Sequence, residues 1–185
     1  LGFTHLRLPG GRDVGFVDVP GHERLVRTMI AGATGLDAVL LCVSAAEGAM
    51  PQTREHLAIL DLLGVRRGVV ALTMADLVDS ELLELAVEDV RDLVSGTFLQ
   101  DAPVIPVSAI TGQGLDALRE ALDALPDATH DTSGPFRLPV DRVFVRPGFG
   151  TVVTGTAWSG ALDDGTTVRL LPDGGEARVR GIEVH

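Results

Sequence analysis

The sequence contains no lysine and no tyrosine, and it has a single cysteine and a single tryptophan among its 185 residues. Without lysine, the chain cannot contain a phosphate-cradling loop of the form G-x-x-x-x-G-K-[ST]. One cysteine excludes an internal disulfide and a cysteine metal cluster. Cys42 lies in an apolar run, so we expect it to be a small, buried strand residue. No apolar run is long enough to span a bilayer, and we expect no membrane partner.

The acidic residues are unevenly distributed along the chain, which carries a net charge of -11. Residues 1–134 hold 9 Arg and 20 acidic residues, whereas residues 135–185 hold 6 of each. The acidic first part argues against general nucleic-acid binding. The neutral second part has only arginine as its strong cation, which permits local phosphate contacts, so any RNA binding is expected there.

Apolar runs alternate with segments of helical period through the first two thirds of the chain. This pattern predicts an α/β fold with a mostly parallel sheet and crossover helices. Residues 9–13, P-G-G-R-D, predict a hairpin, so the first two strands should be antiparallel. Strands are expected over residues 3–8, 14–19, 38–43, 68–72 and 104–107, and helices over residues 22–33, 51–63, 80–94 and about 115–125.

The character of the sequence changes after this region. Residues 127–135 are rich in turn formers and are predicted to be a linker between a first domain, residues 1–126, and a second, residues 136–185. Short β-branched segments punctuated by glycine predict part of an antiparallel β-barrel in the second domain. We expect strands over residues 140–145, 151–158, 167–171 and 177–184, and we expect the barrel to continue beyond His185.

The most informative segment is D-V-P-G-H-E, residues 18–23, which follows an apolar stretch. An Asp at a strand end, followed by a glycine whose peptide can flip, is how GTP-hydrolysing switches detect the third phosphate. In this interpretation Asp18 holds Mg²⁺ through water, the Gly21 N-H reaches the γ-phosphate, and His22 orients the attacking water. The alternative is a strand that simply ends in a Pro-Gly turn.

The predicted strand at residues 68–72 runs into T-M-A-D, where guanine-specific GTPases carry N-K-x-D. Guanine presents adjacent N1-H and N2-H donors that one carboxylate accepts together, so Asp76 is expected to select the base and Thr73 to line the site. Met74 keeps an apolar stem but lacks the ammonium group of lysine, which places nucleotide affinity in question. The alternative is an ordinary strand end that enters a helix.

A second candidate base-contacting loop, S-A-I, follows the next predicted strand. We expect the Ser108 side chain and the backbone N-H of this loop, at Ala109, to contact the guanine O6. Each candidate segment follows a strand, and in α/β sheets ligands bind at the carboxyl ends of the strands.

These residues together resemble the translational GTPases, and among them the selenocysteine-specific elongation factors. Further matches are Q-T-R-E-H-L at residues 52–57, D-R-V-F at residues 141–144 and P-G-F-G-T-V-V-T-G-T at residues 147–156. The resemblance implies GTP/GDP and Mg²⁺ as cofactors and GTP hydrolysis in the intact protein. It also implies a sheet like that of P-loop GTPases, N-terminally truncated in this chain. The P-loop and first switch are then expected to precede Leu1, so residues 1–185 alone are expected neither to hydrolyse GTP nor to bind it tightly.

The resemblance also implies partners. In this family the second domain holds the aminoacyl end of the tRNA, and Asp141 and Arg142 match an Asp-Arg pair in the pocket for selenocysteine. Selenocysteinyl-tRNA and the ribosome are therefore the expected partners, in the cytoplasm. A messenger RNA, bound through segments beyond His185, is a further candidate. The alternative for Asp141 and Arg142 is a surface ion pair at a strand start.

Two other functions stay open. One is a non-catalytic, tRNA-binding pseudo-GTPase module that has lost its nucleotide site, for which Met74 would be a symptom. The other is a sister translational GTPase, such as a general elongation factor or the GTPase subunit of a sulfate-activating enzyme.

Overall fold

The computed structural model describes residues 2–19, 36–126 and 132–183. By the proximity of their backbones these residues form two compact units, Leu1–Asp127 and Ala128–His185. The predicted helix over residues 22–33 and most of the predicted linker lie outside the described residues. Within the described ranges, no helix combines the length and the hydropathy needed to cross a membrane.

The first unit begins with the predicted hairpin. Strands β1 (Gly2–Arg7) and β2 (Asp13–Asp18) pair antiparallel, which confirms the prediction to within one residue at each end. The turn between them is held by the backbone N-H of Leu8, which donates to the Arg12 carbonyl at 2.8 Å.

Three parallel strands form the central sheet of the first unit, as predicted. They are β3 (Val39–Ser44), β4 (Gly68–Thr73) and β5 (Val104–Pro106), with β4 in the middle. Strand β4 reads G-V-V-A-L-T, a run of apolar residues with no polar alternation, as expected for a parallel strand covered on both faces. All its residues except Thr73 are buried.

Within the residues that the structure describes, three helices accompany this sheet. Helix α1 (Pro51–Leu62) starts with proline at its first turn, where the missing N-H costs nothing. Helix α2 (Ser80–Val94) is capped by Asp79, whose carboxylate accepts the Leu82 N-H at 2.9 Å. Helix α3 (Leu115–Asp123) lies against β4. The predicted bounds of α1 and α2 differ from these by at most one residue.

The larger hydrophobic cluster of the first unit lies on one face of the sheet. Alternate residues of β3 and β4 pack there against helices α1 and α2 and the chain that follows α2. The buried members of this core are Leu41, Val43, Ala45, Leu57, Val70, Leu72, Ala86, Val90, Leu93, Val94 and Leu99. Since all contributing strands are neighbours in one sheet, the carboxyl ends of β4 and β5 are held together by this packing.

The expectation that Cys42 is buried is wrong, because Cys42 is exposed. Cys42 pairs with Ala71 in register, and its side chain alternates with those of Leu41 and Val43, which belong to the core. It therefore points to the opposite face of β3, and within the described residues β3 has a paired neighbour only on its β4 side. An edge position on the face away from the core leaves the thiol accessible.

The second unit contains two antiparallel hairpins. The strands are β6 (Val140–Arg146), β7 (Gly150–Gly155), β8 (Thr167–Arg169) and β9 (Glu176–Arg178). Strand β6 pairs with β7, and β8 pairs with β9. The predicted antiparallel pattern is confirmed, but the last three strands are shorter than expected.

Candidate nucleotide-binding loops and an acid-guanidinium pair

The candidate site in the first unit is built from the segments that follow its strands. Asp18 is the last residue of β2, Thr73 is the last residue of β4, and Ser108 follows β5 by two residues. The carboxyl ends of β4 and β5 lie at one edge of the parallel sheet, the usual ligand-binding edge of an α/β fold.

The T-M-A-D segment makes a sharp turn at this edge. Met74 has a left-handed backbone conformation, with φ 58° and ψ 32°, and it is the one described residue other than glycine with positive φ. Its carbonyl accepts the N-H of Leu77 at 3.0 Å, which closes the short 3₁₀ turn Ala75–Leu77. Asp76 lies in that turn with its carboxylate exposed, so it is accessible to a ligand.

The buried side chain of Ser108 holds the second loop, residues 108–110, by hydrogen bonds. The residue is fully buried, and its hydroxyl oxygen accepts the backbone N-H groups of Ile110 at 3.2 Å and Thr111 at 3.1 Å. These bonds hold a tight turn in which Ala109 and Ile110 are exposed. The Ser108 side chain thus builds the loop, and its predicted contact with guanine stays a prediction.

Hydrogen bonds join the two loops to each other. The Ala75 N-H donates to the Val107 carbonyl at 3.1 Å, and the Val107 N-H donates to the Leu72 carbonyl at 2.8 Å. The structure therefore brings the turn that contains Asp76 close to the loop at residues 108–110.

Gly114 closes the second loop and begins α3. Its φ is 71°, and a Cβ at this position would collide with the carbonyl oxygen of Pro106. The close approach of the loop to β5 therefore requires glycine here.

Ser44, at the end of β3, contacts the T-M-A-D segment and was not selected from the sequence. Its hydroxyl lies 3.6 Å from the Met74 sulfur, to which it donates, and it also accepts the Glu47 N-H at 3.2 Å. The thioether of Met74 thus contacts the neighbouring strand end, a contact that the ammonium of a lysine could not make in the same way. The only sequence signal for Ser44 was its place directly after an apolar run.

Asp18 is exposed at the end of β2, and Gly21 and His22 lie outside the described residues. The Asp18 carboxylate is near enough to β3 to affect Cys42. Although the thiol is accessible, the surrounding protein removes enough water to raise the pKa of Cys42, and the Asp18 charge raises this pKa further.

The donor set at Asp18 fits a water-mediated Mg²⁺ contact. An exposed carboxylate offers the hard oxygen ligand that Mg²⁺ prefers, and Mg²⁺ commonly keeps several waters. No group of three or more His, Cys, Asp or Glu side chains that could hold a metal occurs among the residues the structure describes.

The second unit places Asp141 and Arg142 beside each other on β6. The Arg142 Nε atom lies 4.0 Å from the Asp141 Oδ1 atom, and the two side chains are 55% and 49% exposed. The same carboxylate oxygen accepts a hydrogen bond from the Thr154 hydroxyl on β7. The pair is therefore accessible, and its acid is held by a residue that the sequence analysis had not selected.

Comparison with known proteins agrees with these features. Residues 9–127 match the family model described as the Elongation factor Tu GTP binding domain. The selenocysteine-specific elongation factor of Desulfomicrobium baculatum is 51% identical over 190 aligned residues, which cover 100% of this chain and 30% of that protein. The chain therefore spans about a third of the length of this relative.

Two solved structures share the fold. The crystal structure of a bacterial selenocysteine-specific elongation factor superposes with a TM-score of 0.87 at 34% identity, over 97% of this chain and 31% of that one. Translation elongation factor SelB from Methanococcus maripaludis, in complex with the GTP analogue GppNHp, gives a TM-score of 0.84 at 32% identity, over 95% of this chain and 39% of that one.

Proposed function

Because the chain belongs to the family that carries the elongation factor Tu GTP-binding domain, we propose that it is part of a GTP-dependent translation elongation factor. In this proposal the intact protein delivers selenocysteinyl-tRNA to the ribosome in the cytoplasm and hydrolyses GTP there. The observation that carries the proposal is the hydrogen-bonded pair of loops at the ends of β4 and β5, which leaves the Asp76 carboxylate exposed.

Asp76 would determine the choice of base. A carboxylate accepts the adjacent N1-H and N2-H of guanine together, whereas adenine has no such pair of donors. The loop held by Ser108 would present the N-H of Ala109 to the guanine O6, and Thr73 would line the base site. A site built on such paired hydrogen bonds rejects the wrong base by roughly 10⁴ or more, because the wrong base leaves the carboxylate unpaired.

Asp18, Gly21 and His22 would act at the phosphate end of the nucleotide. Asp18 would hold Mg²⁺ through water, and Mg²⁺, when bound, neutralises negative charge that develops on the phosphoryl oxygens. The Gly21 N-H would donate to the γ-phosphate, and His22 would orient the attacking water. The P-loop and first switch would come from sequence that precedes Leu1.

The second unit would bind the aminoacyl end of the tRNA. A selenol is ionised near neutral pH, whereas the hydroxyl of serine is not, so Arg142 would favour selenocysteine and Asp141 would orient Arg142. Binding of a messenger RNA element would require segments beyond His185.

Base selection can be tested in the full-length gene product. Asp76→Asn replaces one carboxylate oxygen with an amide donor, which suits xanthine, whose C2 carbonyl stands where guanine has its amino group. The variant should lose affinity for GTP by at least 100-fold and gain affinity for XTP, as measured by calorimetric titration. Unchanged GTP affinity would reject the assignment of Asp76. Residues 1–185 alone should bind neither nucleotide tightly, and sub-micromolar GTP binding by them would contradict the proposed need for preceding sequence.

Catalysis can be tested in the same protein. His22→Ala should slow ribosome-stimulated GTP hydrolysis while GTP affinity changes little, because His22 would act on water and not on the bound ground state. An equal loss of affinity would assign His22 to binding instead.

Met74 favours a second candidate function, a tRNA-binding module without nucleotide. The ammonium that would otherwise tie this loop to a P-loop is replaced by a thioether that contacts Ser44. The gene sequence upstream of Leu1 distinguishes the candidates, because an in-frame G-x-x-x-x-G-K-[ST] supports the enzyme and a start codon directly before Leu1 supports the module.

A sister translational GTPase is distinguished by its tRNA. The full-length protein should bind selenocysteinyl-tRNA more tightly than seryl-tRNA in a competition assay. Equal affinities would point to a general elongation factor or a sulfate-activation GTPase.

A further inference from the structure

The T-M-A-D segment is tied to the end of β3 as well as to the end of β5. On the β3 side, the Thr73 carbonyl accepts the N-H of Ala45 at 2.8 Å. On the β5 side, the Ala75 N-H donates to the Val107 carbonyl at 3.1 Å. The residues before and after Met74 are therefore both fixed to neighbouring strand ends through their backbones.

Met74 is held through its side chain. Its left-handed backbone, with φ 58°, is a conformation that a residue other than glycine keeps only where the surrounding structure fixes it. The Ser44 hydroxyl donates to the Met74 sulfur at 3.6 Å. The Ser44 oxygen is itself held in place, because it accepts the Glu47 N-H at 3.2 Å. The hydroxyl of Ser44 is thus a side-chain anchor for the strained residue of the turn.

We propose that Ser44 is a positioning residue for base recognition by Asp76. The inference rests on the proposed nucleotide site. Asp76 lies in the short turn that the Met74 carbonyl closes by accepting the Leu77 N-H, so a rotation of the Met74 backbone displaces the Asp76 carboxylate. Ser44 acts through Met74 and does not itself contact the base. Met74 is then a working part of a base site that is anchored from β3, and not a sign that the site has been lost.

The test uses the full-length protein and measures the ratio of its affinities for GTP and ITP by calorimetric titration. ITP lacks the 2-amino group of guanine, so it offers the Asp76 carboxylate one donor instead of two. The ratio therefore reports how well this carboxylate is placed. A variant that only destabilises the fold lowers the affinities for both nucleotides by the same factor and leaves the ratio unchanged.

Ser44→Ala removes the donor and should lower this ratio about twofold to fivefold, as expected for the loss of one modest hydrogen bond. Ser44→Thr keeps the hydroxyl and should retain most of the ratio. The matched control is Ser159→Ala, which removes a hydroxyl that donates to the Pro135 carbonyl in the second unit, and it should leave the ratio unchanged. An unchanged ratio in Ser44→Ala, or an equal fall in Ser159→Ala, would overturn the positioning role.

A second pair of variants tests whether Ser44 acts through Met74. Met74→Leu removes the sulfur acceptor at similar volume and should lower the ratio as much as Ser44→Ala does. Met50→Leu is its control, because both methionines are 49% exposed, and it should leave the ratio unchanged. In a Met74→Leu background, Ser44→Ala should have no further effect on the ratio. An additive loss would mean that Ser44 acts by another route, such as its bond to Glu47, and would overturn the proposal.

Failure of this proposal can be distinguished from failure of the proposed function. If Asp76→Asn lowers GTP affinity and Ser44→Ala leaves the GTP to ITP ratio unchanged, the role of Ser44 is wrong while the base site stands. If Asp76→Asn leaves GTP affinity unchanged, the base site is wrong and the role of Ser44 is wrong with it.

Discussion

The two units of the chain differ in where their apolar residues lie. In the described residues, every buried apolar side chain belongs to the first unit, between Leu8 and Val107. In the second unit, Val143 and Val145 of β6 are 64% and 76% exposed. Apolar strands alone do not make a core, because a sheet buries a face only when a second layer covers it.

The candidate sites of the two units are therefore held in place in different ways. In the first unit the core holds two loops in register at one edge of the sheet, so the geometry of the candidate nucleotide site follows from long-range packing. In the second unit, Asp141 is placed by a bulge and by the single Thr154 hydroxyl, which are features of one hairpin.

The largest expected effect compares truncations in the two units. Leu72→Ala, in the core of the first unit, should lower the free energy of unfolding by about 2–5 kcal/mol because it leaves a cavity. Val143→Ala, on an exposed strand, should change it by less than about 0.5 kcal/mol. Urea denaturation followed by circular dichroism measures the free energy of unfolding of both variants. Similar losses of this free energy would show that the second unit shares a core with other residues.

The next largest effect is expected at Arg12, which connects the β1–β2 hairpin to the end of α3. Arg12 donates to the carbonyls of Leu125 and Leu122, at 2.8 and 3.2 Å, and also to that of Asp123. Arg12→Ala should cost roughly 1–3 kcal/mol of unfolding free energy, since these carbonyls at the end of α3 lose a charged donor.

The control for Arg12 is Arg119→Ala, which removes an exposed ion pair with Asp116 on the same helix. It should cost less than about 0.5 kcal/mol, because solvent screens such pairs. Equal losses in urea denaturation would mean that the Arg12 contacts contribute no more than a surface pair.

A smaller effect is expected from the strained turn at Met74. The left-handed conformation suits asparagine better than methionine and suits valine worst. Met74→Asn should therefore be about 1 kcal/mol more stable than Met74→Val in thermal denaturation. The reverse order would show that the packing of the side chain, and not the backbone, determines stability at this position.

The smallest expected effect is a change in the pKa of Cys42, which reports whether the Asp18 charge of the hairpin acts on β3. Asp18→Asn should lower the pKa of Cys42 toward its ordinary value, because the Asp18 charge raises that pKa. The rate of Cys42 alkylation as a function of pH measures this pKa. If the midpoint of the pH profile is unchanged in Asp18→Asn, the Asp18 charge does not act on Cys42 of β3.

Protein stability should depend on the same thiol. Because the pKa of Cys42 is higher in the folded chain, the protonated thiol favours folding at low pH, and this contribution is lost as pH rises through the folded pKa. Asp18→Asn should reduce that loss at alkaline pH.

Much of the first unit could be predicted from the sequence. The antiparallel first hairpin, the three parallel strands and the bounds of α1 and α2 follow from apolar runs, helical periodicity, the proline at the start of α1 and the Asp79 cap. These signals are local. Cys42 was mispredicted because an apolar run does not say which strand is at an edge or which face the core covers.

The candidate sites also combine features that could be predicted from the sequence with features that could not. The segments at residues 73–76 and 108–110 could be selected from the sequence, since each follows a strand and carries a side chain or turn suited to guanine. The buried hydroxyl of Ser108, the left-handed turn at Met74 and the contact of Ser44 with its sulfur could not, because they arise where distant segments meet.

By itself, the amino-acid sequence determined the order of strands and helices in the first unit and the chemical character of its loops, because periodicity and turn chemistry act between near neighbours. Only the tertiary structure decided which loops touch, that Cys42 is exposed, and that the Thr154 hydroxyl on β7 bonds Asp141 on β6. Those outcomes depend on register between strands, and register is a relation between segments that neither one contains alone.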